Sequence, residues 1–126
     1  MSRSAVLLVE DNDINRDMLT RRLTRAGLTV VTAADGVSAL EMMHDHQPGV
    51  VLMDMTLPIL DGWEATQQAK KDPAIAEIPI IALTAHAMAA DKERAMKAGC
   101  SEYETKPIDF PALLAKIYQF LEGADT

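Results

Sequence analysis

Five reactive side chains lie at or just beyond the ends of short segments that read as strands. They comprise three carboxylic acids, a hydroxyl and an amine: Glu10, Asp11, Asp54, Thr84 and Lys106. Clustered carboxylates repel one another and attract a hard divalent cation, and Mg²⁺ takes one or two of them while keeping several waters. The cation and the ammonium would together let an anionic phosphoryl donor approach. This set of residue types therefore suits phosphoryl transfer to a carboxylate.

Asp54 is the candidate nucleophile. It follows the apolar run 50–53, and no turn-forming residue separates it from Met55. A carboxylate at the end of a buried strand is costly unless it binds a cation or pairs with another charge. Its attack on a phosphoryl group would give an acyl phosphate. Taken singly, each of the five residues also has an ordinary interpretation as a cap, a backbone-bonded hydroxyl or a solvated charge, so it is their convergence that favours chemistry.

The elements that must bring these residues together alternate between two hydrophobic periods. Continuous apolar runs predict buried strands, and apolar residues at helical spacing predict the helices between them. The expected strands cover residues 6–9, 28–32, 50–54, 78–84 and 102–104. The expected helices run from Asn12 or Asp13 as N-cap to Gly27, and over 36–44, 63–71, 87–98 and 110–121.

Five strand–helix units without a break in composition predict one α/β domain over residues 1–126. The expected architecture is a doubly wound five-stranded parallel sheet with helices on both faces. In such a sheet ligands bind beyond the carboxyl ends of the strands, which is where the five candidates would meet. In the first helix the spacing predicts one apolar face made of Ile14, Met18, Leu19 and Leu23.

The composition excludes several classes of function. Twelve Lys and Arg against 19 Asp and Glu give a formal net charge of −7, whereas nucleic acids and anionic membranes are bound by clustered cations. No apolar run approaches the roughly 20 residues of a membrane span, and no secretion signal is expected. The single cysteine, Cys100, excludes an internal disulfide and suits a reducing compartment. We expect a cytoplasmic protein without nucleic-acid or membrane partners.

Four motifs carry a resemblance to a known family. They are VLLVEDN at 6–12, VLMDMTLPILDG at 51–62, IALTA at 81–85 and ETKP at 104–107. In this order and spacing they resemble the CheY-like receiver domain of two-component response regulators, of the single-domain type, over essentially the whole chain. The resemblance implies the flavodoxin-like strand order 2-1-3-4-5.

The resemblance also implies where a phosphoryl group and a metal would be held. Asp54 would be the phosphoacceptor. Asp11, Asp54 and the backbone carbonyl of Thr56 would ligate Mg²⁺, with Mn²⁺ as a possible substitute, and Glu10 would act through a water molecule. Lys106 would bridge to the phosphoryl oxygens.

Further roles follow from the same resemblance. Thr84 would turn its hydroxyl onto the phosphoryl group, and Tyr103 occupies the aromatic switch position, although it also suits a half-buried tyrosine of an edge strand. The bond before Pro107 would be cis. Thr56 and His86, which follow the phosphoacceptor and the switch hydroxyl by two residues, could tune dephosphorylation, and a solvated loop imidazole is an equal alternative for His86.

The implied function is a phosphorylation-activated signalling switch. A histidine kinase or a histidine phosphotransfer protein would supply the phosphoryl group. The face of the fourth helix, fifth strand and fifth helix would then change and bind a downstream protein target. No enzymatic activity beyond slow self-dephosphorylation is expected.

Three alternatives are open on the sequence. The chain could be a receiver excised from a hybrid histidine kinase or a multidomain regulator. A haloacid-dehalogenase-type phosphatase shares the Asp nucleophile, Mg²⁺, Thr and Lys, but it needs a second Asp where this chain has Thr56. A flavodoxin-like FMN carrier shares the fold, but the acidic run at 10–13 would repel its phosphate.

Overall fold

Five strands and five helices alternate along the chain in the computed structural model, which describes residues 5–57, 59–85 and 89–124. The strands are β1 (Ala5–Val9), β2 (Thr29–Ala33), β3 (Val50–Asp54), β4 (Ile80–Thr84) and β5 (Glu102–Thr105). The helices are α1 (Asp13–Arg25), α2 (Gly36–His46), α3 (Gly62–Lys71), α4 (Ala89–Ala98) and α5 (Phe110–Ala124). Residues 87 and 88, where we expected the fourth helix to begin, lie outside the described residues.

The strands form one parallel sheet in the order β2-β1-β3-β4-β5. This confirms the doubly wound, flavodoxin-like prediction. The three central strands are buried along their whole length, which is why they are continuously apolar in sequence. Their register places Leu8 beside Leu52 and Leu52 beside Ile81. The carboxyl ends of β1, β3 and β4 therefore lie side by side.

Helices cover both faces of the sheet. On one face the odd-numbered residues of β1, such as Leu7, pack with side chains of α2, α3 and α4, including Met43 and Ala65. On the other face the even-numbered residues, such as Leu8, pack with α1 and α5 through Leu23 and Ile117. This alternation follows from the two-residue period of a strand. No helix within the described ranges has the length and apolarity that crossing a membrane requires.

Short polar side chains start the helices at the carboxyl edge of the sheet. Asn12, Asp35, Asp61 and Asp109 each accept a hydrogen bond from the backbone N–H three residues later. Each such bond satisfies one of the amide groups left free in the first turn. Of the two caps that the sequence left open for α1, the structure has Asn12. The caps fix where the loops of this edge end.

The expected apolar face of α1 is only half correct. Leu19 and Leu23 are buried, whereas Ile14 is 78% exposed and Met18 is 52% exposed. Helix α1 starts at the carboxyl edge of the sheet, and its first turns lie where the neighbouring strands have already ended. Helical spacing reports which residues share a face, but not whether a strand lies beneath them.

Candidate functional site

Three carboxylates meet at the carboxyl ends of β1 and β3. Glu10 and Asp11 follow β1, and Asp54 is the last residue of β3. One side-chain oxygen from each residue lies within 4.8 Å of those of the other two. Glu10 and Asp54 are buried while Asp11 is exposed. The structure therefore brings the three predicted acids together, with one side of the cluster open to solvent.

Lys106 supplies the positive charge of this cluster. Its Nζ lies 3.2 Å from Glu10 Oε1 and 3.2 Å from Asp54 Oδ2. Burial alone would lower the pKa of Lys106, but the charges of Asp54 and Glu10 and the hydrogen bonds to them outweigh burial and raise that pKa above its ordinary value. The carboxylates of Glu10 and Asp54 therefore stabilise the charged form of the ammonium. It cross-links the ends of β1 and β3 to the residue after β5.

The carboxylate of Asp54 is held from both sides. While Oδ2 accepts from Lys106, Oδ1 accepts from the backbone N–H of Thr56 at 3.0 Å. The loop after β3 folds back onto the same residue, because a Cβ added to Gly62 would lie 2.4 Å from the carbonyl oxygen of Asp54. Only glycine fits there without moving backbone. The candidate nucleophile therefore has a defined direction.

The two oxygens of Glu10 are both engaged within the protein. Oε1 accepts from Lys106, and Oε2 accepts from the backbone N–H of Asn12 at 3.3 Å. Asp11 projects from the next residue and is exposed. Of the two acids that follow β1, Asp11 is therefore the one placed for direct contact with an ion, and Glu10 is placed to act at one remove.

The remaining predicted residues flank the cluster on the side of β4 and β5. Thr84 is the last residue of β4, is 2% exposed, and its backbone oxygen accepts from the N–H of Lys106 at 2.7 Å. Tyr103 lies opposite Ala82 in β5, half-buried. Its pKa is raised by burial and by the charge of Asp91. The Lys106–Pro107 peptide bond is cis.

The two candidates for tuning dephosphorylation are placed unequally. Thr56 is exposed two residues after Asp54, and its backbone N–H bonds that carboxylate. His86 lies outside the described residues. Met43, Met53 and Met55 are buried in the core, so they pack the fold and form no binding surface.

The donor set fits Mg²⁺. All three clustered ligands are carboxylate oxygens, which hard divalent cations prefer. Two of these acids are buried, and Lys106 is the one cation within hydrogen-bond distance of their carboxylate oxygens in the part of the chain that the structure describes. A divalent cation would offset the charge that remains. Residues Glu10, Asp11 and Asp54 are thus able to hold a metal ion.

Sequence reasoning missed two features of this region. The first is Arg16, whose guanidinium reaches back from α1 to the carbonyl oxygen of Glu10 at 2.9 Å. The second is a set of exposed apolar side chains from α1 and from the loop after β3, which we call the apolar rim: Ile14, Met18 and Ile59. Neither has a signal in the sequence, because both depend on where α1 and the loop after β3 end up relative to the sheet.

A groove continues the apolar rim between α1 and the segment after β5. It has a volume of about 350 Å³ and is lined mainly by Met18, Leu19, Leu83, Pro107 and Ile108. Glu10 and Lys106 also line it, so the groove opens directly onto the acidic cluster. A molecule lying in the groove would reach the candidate nucleophile's neighbours.

Several known proteins are similar to this chain in sequence or in fold. DivK, the polar-differentiation response regulator of Brucella anthropi, is 36% identical over 120 residues, which are 95% of this chain and 98% of DivK. The receiver domain of the Pseudomonas aeruginosa sensor histidine kinase PA1611, solved with magnesium coordinated in its active-site cleft, is 34% identical, with a TM-score of 0.87 over 94% of this chain and 98% of that domain.

A third relative was solved together with its partner. The receiver domain of Saccharomyces cerevisiae Ssk1, in complex with the histidine phosphotransfer protein Ypd1, is 33% identical, with a TM-score of 0.85 over 94% of this chain and 88% of that one. The alignment covers 98% of DivK, a response regulator, which does not favour the alternative of a receiver excised from a hybrid kinase. The PA1611 receiver, by contrast, is part of a sensor histidine kinase.

The response regulator receiver domain family matches residues 6–118. The match contains all of the sheet except its first residue, Ala5, together with the three acids at its carboxyl edge and the lysine that joins two of them. This chain therefore belongs to the receiver domain family of two-component response regulators.

Proposed function

We propose that this receiver is a phosphorylation-activated switch that accepts a phosphoryl group on Asp54 in a Mg²⁺-dependent reaction. The observation that carries the proposal is the double restraint on Asp54, whose two oxygens face Lys106 Nζ at 3.2 Å and the N–H of Thr56 at 3.0 Å. A nucleophile with a fixed direction, beside a fixed cation, needs little further assistance in phosphoryl transfer.

The metal would be held by Asp11, Asp54 and the backbone carbonyl of Thr56. Glu10 would act through a water molecule, which agrees with the engagement of both its oxygens by Lys106 and Asn12. When bound, Mg²⁺ supplies positive charge to the phosphoryl oxygens. Mn²⁺ prefers the same oxygen donors and would substitute.

This chain's own residues perform the transfer. An oxygen of Asp54 attacks the phosphorus of a phosphohistidine, and the phosphorus–nitrogen bond breaks as the imidazole leaves. The Lys106 ammonium, which now bonds Asp54 Oδ2, moves to an oxygen of the bound phosphoryl group. The product is an acyl phosphate at the end of β3.

The switch would act through Thr84 and Tyr103. The hydroxyl of Thr84 would turn to the phosphoryl group, and Tyr103 would move into the space that this leaves. The backbone N–H of Lys106 donates a hydrogen bond to the carbonyl oxygen of Thr84. A movement of either residue would therefore shift the end of β5. The face of α4, β5 and α5 would change and bind a downstream protein target. Lys116 of α5, which bonds the Tyr103 carbonyl at 3.0 Å and the Glu104 carboxylate, would be part of that face.

The phosphoryl donor would be a histidine kinase or a histidine phosphotransfer protein, docked on the apolar rim. Ile14, which follows Asp11 by three residues, is 78% exposed, and Ile59, which follows Asp54 by five residues, is 83% exposed. An exposed apolar patch formed by these side chains would be an interaction surface. A partner that covers them would bring its phosphohistidine to Asp54 and exclude water during transfer. The complex of the Ssk1 receiver with a phosphotransfer protein supports a partner of this class.

Several finer properties complete the proposal. Thr56 and His86 would tune hydrolysis of the acyl phosphate, and the protein would have no enzymatic turnover beyond slow self-dephosphorylation. Residues 1–126 would work as one receiver unit, because its five βα units share one sheet. A single cysteine suits the cytoplasm, which is where we place the protein.

The deciding experiment is to incubate the protein with acetyl phosphate and Mg²⁺ and to measure its intact mass. The wild type should gain one phosphoryl group, and Asp54→Asn should gain none. Asp61→Asn is the matched control, because Asp61 caps α3 and has no role in the transfer. Labelling that survives Asp54→Asn, or that persists when the metal is chelated, would overturn the assignment.

A further inference from the structure

We propose that Arg16 is a positioning residue that holds the acidic loop, residues 10–13, in the form that binds Mg²⁺. This inference rests on the proposed function, because it concerns the same metal site. Arg16 is the fourth residue of α1, and among the described residues it makes no recorded hydrogen bond or ion pair with Asp11 or Asp54. Its role would be exerted through the backbone of Glu10.

The guanidinium of Arg16 forms hydrogen bonds with the first and the last residue of the acidic loop. Nη1 donates to the carbonyl oxygen of Glu10 at 2.9 Å, six residues earlier in the chain. Nη2 donates to the carboxylate of Asp13. The Arg16 side chain is only 24% exposed, whereas that of Asp13 is 88% exposed. The planar fork of an arginine can serve two acceptors at once, which the single ammonium of a lysine does less well.

The carbonyl that Arg16 binds belongs to the peptide joining the first two acids of the site. A peptide group is planar, so fixing the Glu10 carbonyl also fixes the N–H of Asp11 and the direction in which the Asp11 chain departs. The other groups of Glu10 are held as well: its N–H donates to Ala33, and its carboxylate accepts from Lys106 and Asn12. Among the hydrogen bonds between described residues, the one from Arg16 is the bond that falls on the carbonyl of this peptide.

Asp11 is the acid that most needs such a restraint. It is exposed and lies in the loop between β1 and α1. Its carboxylate lies within 4.8 Å of those of Glu10 and Asp54, in spite of their mutual repulsion. A fixed Glu10–Asp11 peptide would hold the Asp11 carboxylate near the others before the cation arrives, so that less order has to be imposed on binding.

The charge of Arg16 acts in the opposite direction. A cation near the site repels Mg²⁺, so if charge were its only effect, removing Arg16 would tighten metal binding. If Arg16 positions the loop, removing it weakens metal binding. The sign of the change therefore separates the two roles. Loss of groups that orient metal ligands costs about 10- to 100-fold in affinity, and we expect the lower end of that range, because Arg16 acts through a peptide.

The test is a Mg²⁺ titration of the full chain, followed by backbone amide chemical shifts. In Arg16→Ala the Mg²⁺ dissociation constant should rise roughly tenfold. In Arg16→Lys, which keeps the charge but can hold only one of the two acceptors well, the rise should be smaller. The matched control is Arg21→Ala on the same helix, whose exposed ion pair with Asp17, 3.1 Å long, is remote from the loop. Its dissociation constant should stay within twofold of the wild type.

Phosphorylation kinetics give a second measurement. In Arg16→Ala the Mg²⁺ concentration for half-maximal labelling by acetyl phosphate should rise, while the rate at saturating Mg²⁺ should stay close to the wild type. A residue that only stabilised the fold would lower the melting temperature without this split. If Arg16→Ala does not fold, the Mg²⁺ dissociation constant of Arg16→Lys decides between weakening and no change.

The possible failures are distinguishable. If the wild type binds Mg²⁺ and Asp11→Asn weakens binding, but Arg16→Ala binds equally or more tightly, the role of Arg16 is refuted and the proposed function stands. If the wild type binds no Mg²⁺, or if Asp11→Asn binds as well as the wild type, the proposed metal site fails and the role of Arg16 fails with it.

Discussion

The strands β3 and β5 end at the same edge of the sheet and contribute the two charged partners Asp54 and Lys106, yet they are built differently. Strand β3 has a neighbour on each side and is buried at all five positions. Strand β5 is an edge strand of four residues, each of them half-buried. Asp54, the proposed phosphoacceptor, therefore belongs to a fully buried central strand, and its counter-charge follows an edge strand, which we expect to be easier to displace.

This difference suits a switch. Phosphoryl transfer requires a nucleophile with a fixed position. A conformational signal requires a segment whose displacement costs little free energy. The hydrogen bonds from Lys106 to Asp54 and Glu10 join the two regions. A phosphoryl group on Asp54 would alter that joint directly. Because of their different packing, the two strands should respond differently to substitution and to phosphorylation.

The largest effect is expected from Gly62→Ala, which strikes the rigid side. The added Cβ would lie 2.4 Å from the Asp54 carbonyl oxygen and 2.7 Å from Met55 Cα, so backbone must move. We expect a loss of about 3 kcal/mol in the free energy of unfolding, measured by urea denaturation, together with slower labelling of Asp54.

Gly27→Ala is the control for that substitution. Gly27 has a φ of +91° but nothing within 4 Å of its added Cβ, so it isolates the conformational cost, about 1–2 kcal/mol. Equal losses in the two variants would show that the loop after β3 is not packed against Asp54 as described.

The second effect compares two lysines, one on each side. Lys106→Met leaves two buried carboxylates without their cation, and we expect it to cost about 2 kcal/mol at pH 7. Lys116→Met removes ion pairs with Glu102 and Glu104, which are more exposed, and should cost about 1 kcal/mol or less. Chemical denaturation without Mg²⁺ measures both. A larger loss for Lys116→Met would reverse the comparison.

Hydrogen exchange tests the mobility of the two strands directly. Amides of β5 should exchange roughly tenfold faster than amides of β3, because β5 is short and paired on one side only. Addition of Mg²⁺ and beryllofluoride, a phosphoryl analogue, should change exchange in β5 and α4 more than in β1 and β3. If β5 is as protected as β3 in both states, the switch surface lies elsewhere.

The smallest effect is a pH dependence with opposite signs at two lysines. The pKa of Lys106 is raised in the folded protein, so its contribution is fully present below about pH 10.5 and is lost as the pH rises through the folded pKa. The pKa of Lys70 is lowered, mainly by burial, so its proton is bound more tightly in the unfolded chain. Its contribution therefore grows as the pH rises from the folded pKa towards about 10.5.

Urea denaturation between pH 8 and 11 of the wild type, Lys106→Met and Lys70→Met measures these trends. The stability difference between wild type and Lys106→Met should shrink only above about pH 10.5. The difference for Lys70→Met should move in favour of the wild type over the lower part of the range. Parallel trends for the two lysines would contradict the environments described for them.

The fold could be predicted because each central strand is one uninterrupted apolar run, and five such units admit few topologies. The convergence of Glu10, Asp54 and Lys106 followed from the same rule, since parallel strands end together. Periodicity could not show that Ile14 and Met18 are exposed, because that depends on where the strands beneath α1 stop. Nor could it find Arg16, whose acceptors lie three and six residues back along a turn of the chain.

The roles of Thr84 and Tyr103 came from family resemblance, because a hydroxyl or a phenol at a strand end has many uses. What the structure adds is their register, with Thr84 opposite Thr105 and Ala82 opposite Tyr103. Residue types suggested the chemistry, and pairing of strands set the distances.

The hydrogen bond from the backbone N–H of Lys106 to the carbonyl oxygen of Thr84 also limits where insertions and deletions can occur near this site. A slip of β5 by one residue would carry Lys106 about 3.3 Å along the sheet and turn every β5 side chain to the opposite face. An insertion before Glu102 can be absorbed by the turn after α4, whereas an insertion between Tyr103 and Lys106 would leave the ammonium out of reach of Asp54. The length of β5 thus determines where the ammonium lies, and the site requires Lys106 to follow Tyr103 by three residues.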